Sequence, residues 1–125
     1  MPYRAPLEEY RFLLDHVVDY AQIADTDRFC EASSDVVEAV LSEAGRLCEE
    51  VLDPLQRNGD TDPARLENGT VRTSKGFVKG YQAIANGGWV STSASPEYGG
   101  MGLPLTVTTA VNEMMAGACL ALQLN

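Results

Sequence analysis

Between Val36 and Leu55 the apolar residues fall into one unbroken seam: Val36, Val37, Val40, Leu41, Ala44, Leu47, Cys48, Val51, Leu52 and Leu55. Steps of three and four residues mark one face of an α-helix, so this segment is a helix buried along most of its length. Ser33, Ser34 and Asp35 offer N-caps, with Glu38 three residues after Asp35. Glu38, Ser42, Glu43, Arg46, Glu49 and Glu50 form the opposite, solvated face. Pro54 lacks a backbone donor and is expected to bend or end the last turn.

Other segments supply partners for that seam. Pro6 to Tyr20 reads as an amphipathic helix with Leu7, Tyr10, Leu13, Leu14, Val17 and Val18 on one stripe. Ala21 to Cys30 adds at most a brief helix. Asn58-Gly59, Asp62-Pro63 and Asn68-Gly69 mark turns across residues 58–73. Residues 66–71 form a short hairpin, because Asn-Gly supplies the positive φ angles of a two-residue turn. Asn68-Gly69-Thr70 also matches a glycosylation sequon, and the turn is the favoured reading. A third helix starts near Thr73 or Ser74, runs through Phe77, Tyr81 and Ile84, and stops at Gly87-Gly88. Trp89 to Thr92 looks extended and leads into the loop SASPEYGGMGLP. The last helix, Leu105 to Leu124, buries Val107, Ala110, Val111, Met114, Met115, Ala118 and Leu122. The fold class is therefore all-α, an antiparallel helical bundle with one short hairpin, occupying residues 1–125 as one domain. The chain stops at Asn125 without a cap or polar tail, as expected of a domain cut from a longer polypeptide.

Charge and cysteine usage narrow the function. A formal net charge of −9 disfavours nucleic acid and anionic lipid as partners. Cys30, Cys48 and Cys119 are far apart, and His16 is the sole histidine, so neither a zinc site nor a disulfide framework is expected. The charged N-terminus is no secretory signal, and no run approaches the ~20 apolar residues of a membrane span. A cytoplasmic protein is the expectation.

Candidate chemistry is thin. Gly99-Gly100-Met101-Gly102 before a helix invites a phosphate-loop reading, but no G-x-G-x-x-G, following Lys or βαβ unit accompanies it. A tight structural turn is favoured. Glu113, between apolar neighbours and beside Met114 and Met115, is either a raised-pKa base or, as favoured, a packing residue. His16 has no partner triad, and no GxSxG is present.

The ordered string Gly88-Trp89, Pro96-Glu97-Tyr98-Gly99-Gly100-Met101-Gly102-Leu103 and Asn112-Glu113-Met114 resembles the N-terminal domain of the acyl-CoA dehydrogenases. The opening MPYRAPLEEYRFLLDHVV, together with LDPLQRNGD and LENGTVRTSKGFVKGYQAIANGGW, resembles one branch of that family. The resemblance implies a helical N-terminal domain in front of a β domain and a C-terminal helical domain. It implies FAD in the complete enzyme, with acyl-CoA as substrate, electron-transfer flavoprotein as partner and a homo-oligomeric assembly. It also implies that the flavin-binding segments and the catalytic glutamate lie outside this chain. No catalytic, cofactor-binding or metal residue is therefore expected here, nor tight FAD binding. Leu120, Gln123 and Leu124 are carried over as one wall of the acyl pocket, with plain core packing as the competing reading. Two further alternatives stand: a non-catalytic helical interaction module, and a small unrelated enzyme using Glu113.

Overall fold

The Val36–Leu55 seam folds as a single rod in three segments. In a computed structural model that describes residues 1–124, α3 spans Ser34–Leu47, a π-helical turn spans Cys48–Leu52, and a further helix, α4, spans Asp53–Thr61. The π turn stands directly ahead of Pro54, where the α-helical ladder loses a donor. Its wider closure, seen in the Asp53 amide bonding to the Cys48 carbonyl, lets the helix continue instead of ending. Pro54 then occupies the first turn of α4, where proline is tolerated. Asn58-Gly59, expected as a turn, consequently lies inside α4. A Cβ on Gly59 would sit 3.0 Å from Phe77 and 3.3 Å from Ala121, so this glycine brings three segments together.

Around the rod stand α1 (Leu7–His16), α2 (Tyr20–Ala24), α5 (Phe77–Asn86) and α6 (Leu105–Gln123). The first helix is shorter than its apolar pattern suggests. Asp19 adopts a left-handed φ of 53°, and Val17 and Val18 are left exposed. Tyr20 begins α2 and is buried, its hydroxyl donating to the Ala32 carbonyl at 2.8 Å. Ser33 caps α3 by backbone conformation alone, since its side chain makes no capping bond. The third expected helix, α5, starts at Phe77, because Gly76 at φ 90° redirects the chain there. Gly88 at φ 75° then folds Trp89–Ser91 into a 3₁₀ turn, where an extended segment was expected.

Residues 65–67 (β1) and 70–72 (β2) pair antiparallel, with Leu66 opposite Val71. Asn68 and Gly69 both take positive φ, as the two-residue turn requires. The domain is otherwise helical, as expected.

The last helix is the centre of the core. Val107, Val111, Met114, Ala118 and Cys119 have no measurable exposure, and Ala110, Met115 and Leu122 are also buried. They pack against α3, the π turn and α4. By length and hydropathy α6 could also cross a membrane, but its apolar stripe is used inside this core. Its helical dihedrals are interrupted at Cys119 (φ −156°, ψ 83°), which turns the final residues out of line.

A strap formed by residues 3–7 crosses the rod and α6. Its closest points are glycines: a Cβ on Gly117 would lie 3.0 Å from the Tyr3 ring, and one on Gly45 3.0 Å from Ala5. The Ala5 amide donates to Glu49 Oε1 at 3.0 Å, and Arg4 Nη1 to Glu49 Oε2 at 2.9 Å. The Ala5 amide is the larger influence holding the Glu49 carboxyl below the ordinary carboxylate range; Arg4 adds to it, against partial burial. A lowered folded-state value contributes stability above the unfolded value, and that contribution is lost as pH falls through the folded one. The stability gap between wild type and Glu49→Gln, measured by urea denaturation, should be full at pH 7 and close on acidification below the ordinary carboxylate range. A gap that widens on acidification would contradict the assignment.

Candidate functional site

The glycine loop is closed upon itself. Two 3₁₀ turns, Trp89–Ser91 and Pro96–Tyr98, bracket Thr92 to Ser95, and the returning chain bonds back across them. The amides of Gly99, Gly100, Met101, Gly102 and Leu103 donate to the carbonyls of Pro96, Ser95, Ser91, Ala94 and Thr92, all within 2.9–3.1 Å. Gly99 (φ 80°) and Gly102 (φ 66°) supply left-handed backbone. Gly100 serves closeness of approach, since a Cβ there would lie 2.0 Å from the Ala94 carbonyl oxygen.

This closure tests the phosphate reading directly. A phosphate or pyrophosphate is held by amides that point outward at a helix N-terminus. Here each amide from Gly99 to Leu103 is already engaged inside the loop. No basic residue lies between Gly87 and Leu105. The loop does not fit the phosphates of a flavin or CoA, and its glycines serve the turn into α6, as the sequence favoured.

Thr92 locks the loop to the core. It is buried, and its Oγ1 lies 3.0 Å from Thr108 Oγ1 on α6, a paired hydroxyl contact. Sequence reasoning missed it because Thr92 was placed in an extended stretch; in hindsight the only signal was a threonine amid short turn residues.

Glu113 is exposed and faces tyrosines. Burial first, and the Glu113 charge second, push the Tyr10 hydroxyl well above its ordinary value. Tyr3 is raised to about 12 by burial, then by Cys48, Glu113 and Glu49. Such tyrosines stay protonated, and the cluster holds no nucleophile. Cys48 is buried and its thiol is pushed up to about 12, which suits a packing residue rather than a reactive one. The His16 ring lies tilted against Phe12, centroids 5.0 Å apart, and both residues are exposed. Among the described residues no group of His, Cys, Asp and Glu is arranged to hold a metal ion.

The three residues carried over as a pocket wall sit past the Cys119 corner. Leu120 is 53% exposed and Leu124 78% exposed, one helical turn apart, with the Leu124 amide donating to the Leu120 carbonyl at 3.1 Å. Gln123 is half-buried and turns back to donate to Asn112 Oδ1 at 3.3 Å. The two leucines therefore stand out of this domain's core, and none of the three lines a described cavity.

A groove of about 580 Å³ does lie elsewhere, beside α3. Val40, Leu47, Val51, Trp89 and Met101 line it, together with Glu43, Arg46 and Glu50. The sequence assigned Val40, Leu47 and Val51 to the buried seam; they are half-buried because the seam is broader than α6 covers. Its volume lies within the range of small-molecule pockets. A second cavity, about 90 Å³ between α1 and α3, is too small for more than a few solvent molecules.

No family model matches the chain. Over 118 residues it is 38% identical to the 3-methylmercaptopropionyl-CoA dehydrogenase of Ruegeria pomeroyi. The chain is similar to an acyl-CoA dehydrogenase. The alignment covers 94% of this chain, so it includes nearly all the elements described above. It covers 20% of the relative, and the chain thus spans about a fifth of that dehydrogenase's length. This similarity agrees with both resemblances drawn from the residues, to the acyl-CoA dehydrogenases and to the branch suggested by the opening segment.

The loop's two kinds of glycine should separate on substitution. Gly100→Ala is expected to destabilise the domain by about 3 kcal/mol or more, because backbone must move. Gly99→Ala, with open space around it, should cost only ~1–2 kcal/mol for the left-handed φ. Denaturant midpoints would report both, and equal losses would contradict the closed-loop geometry.

Proposed function

We propose that this chain is the helical N-terminal portion of a flavin-dependent acyl-CoA dehydrogenase. Its contribution is a scaffold and one apolar wall of the acyl pocket. The observation that carries the reading is the similarity over nearly the whole chain, joined to a glycine loop whose amides are all spent on structure. In the complete protein the reaction is α,β-dehydrogenation of an acyl-CoA thioester. FAD bound by the remaining domains supplies the redox chemistry there. The enzyme is a homo-oligomer in the cytoplasm that passes electrons to an electron-transfer flavoprotein. No reacting group of that chemistry is assigned to this chain.

The exposed pair Leu120 and Leu124 supports the pocket-wall role. Two leucines on one turn, uncovered by their own domain, present apolar surface of the kind an acyl chain displaces water from. Gln123, held back by Asn112, leaves that surface free of its amide. The residue that would tune chain length is Leu120, which lies nearest the Cys119 corner.

In the complete enzyme, Leu120→Asp is expected to raise KM for an acyl-CoA roughly tenfold or more. Flavin content should be unchanged, since these residues are not assigned to the cofactor. Steady-state kinetics with a dye acceptor, alongside the flavin absorbance ratio, would check this. Unaltered KM across several acyl chain lengths would remove Leu120 from the pocket.

A further inference from the structure

The hairpin stands clear of the core. Every residue from Pro63 to Thr73 is exposed, Leu66 by 75% and Val71 by 64%. Their register sets these two opposite one another, so both lie on one face of the ribbon. Arg65 and Arg72 form the next pair, on the other face, where Glu67 lies 3.3 Å from one guanidinium and 3.9 Å from the other. The ribbon thus carries its charges on one side and an uncharged apolar pair on the other. A two-stranded ribbon with neither face covered is marginal in water, and its exposed apolar pair is surface for a partner.

The same chain offers a place for that pair. The groove beside α3 is lined by Val40, Leu47, Val51 and Trp89, all half-buried, and by the more open Met101. At about 580 Å³ it has room for two aliphatic side chains. Arg46 is paired with Glu43 at 2.7 Å, and Glu50 leaves the charged part of the lining net negative. The hairpin belongs to the oppositely charged part of the chain. Residues 57–79 hold five basic residues against three acidic ones, whereas the remainder holds four against fifteen. This segment is therefore the part of an acidic molecule that a second copy attracts. A molecule does not fill its own groove. The hairpin leads into the first residue of α5, Phe77, while Gly87 and Trp89 of the groove follow its last, Asn86. Ten residues of helix, roughly 15 Å, stand between them.

We propose that two copies of this chain associate head to tail, with the Leu66–Val71 face of one copy's hairpin seated in the Trp89 groove of the other. The contact dries the part of the rod's seam that α6 leaves uncovered, together with the two exposed hairpin side chains. Trp89 is its anchor, a large ring already half-buried, of the kind that gains most when a partner completes the burial. The net-positive segment around the hairpin then meets the net-negative lining of the groove. Hairpin and groove are different patches, so the contact is heterologous; each copy brings both, and two reciprocal contacts close a pair. The inference concerns surfaces of this chain alone and does not rest on the dehydrogenase reading.

Trp89 is the sole tryptophan, so its emission reports whether the groove is filled. The test is a dilution series of the purified chain, following Trp89 emission and sedimentation velocity together. The wild-type chain should associate at high micromolar concentration, with Trp89 emission shifting to the blue as it does. Replacing both hairpin residues, Leu66→Asp with Val71→Asp, should weaken association roughly tenfold or more and remove the shift. Met101→Asp, on the groove side, should do the same. All three positions are exposed, so the helical fold should be kept, as far-UV circular dichroism would verify. Mixing the hairpin variant with the groove variant should restore association, with the shift coming only from the copy whose groove is intact. Association that survives in either variant would place the contact elsewhere and overturn the proposal. So would a wild-type chain that stays monomeric with unshifted Trp89 emission, which would leave hairpin and groove to some other occupant. Neither of those results would bear on the dehydrogenase reading, which is tested by kinetics of the complete enzyme.

Discussion

The buried stripe of α6 is the surface on which α3, the π turn, α4 and α5 all pack. Val107, Val111, Met114 and Ala118 repeat at the spacing that keeps them on one side of the helix, and they meet α3, the π turn and α4 in succession. Burying this stripe is the main apolar gain available to a chain with few aromatics. The other elements are arranged to keep it dry. The strap crosses α6 at Gly117, the glycine loop is tied to it by the Thr92–Thr108 contact, and Gly59 admits its final residues against α4. Glycines stand where neighbouring side chains press closest: Gly45 against Ala5 and Leu7, Gly59 against Phe77 and Ala121, Gly80 against Leu55 and Leu122, and Gly117 against Tyr3.

The rod shows how a local conflict is resolved by that packing. Pro54 cannot donate to the ladder, and in isolation it would end the helix. Continuing the rod buries Leu52 fully and brings Gly59 to Ala121, so the chain widens by one residue in the π turn instead of stopping. Glu49, within that turn, accepts the Ala5 amide of the strap.

Periodic features were legible in the sequence, and the places where tertiary contacts override local preference were not. Each residue of the expected α6 stripe is buried, and the Asn68-Gly69 hairpin has the expected turn, because both depend on local spacing and backbone preference. Asn58-Gly59 read as a turn because the dipeptide favours one, but the close approach of Phe77 selects glycine inside a helix. Val17 and Val18 match the helical stripe and yet are exposed, since α1 ends at His16 and the chain turns through the left-handed Asp19 after them. The site was less legible still. The favoured structural role of Gly99–Gly102 follows from missing motif partners, whereas the groove beside Trp89 depends on how far α6 covers the seam. No single sequence window contains that information.

On the proposed reading, this chain supplies structure and apolar surface to an acyl-CoA dehydrogenase, while the flavin is held elsewhere. Titrating FAD into the purified chain, followed by flavin fluorescence and calorimetry, tests it most directly. With the amides of Gly99 to Leu103 closed inward and no basic residue beside them, no saturable binding is expected up to high micromolar flavin. Stoichiometric, saturable binding at low micromolar concentration would contradict the account, and would require a cofactor site within these helices.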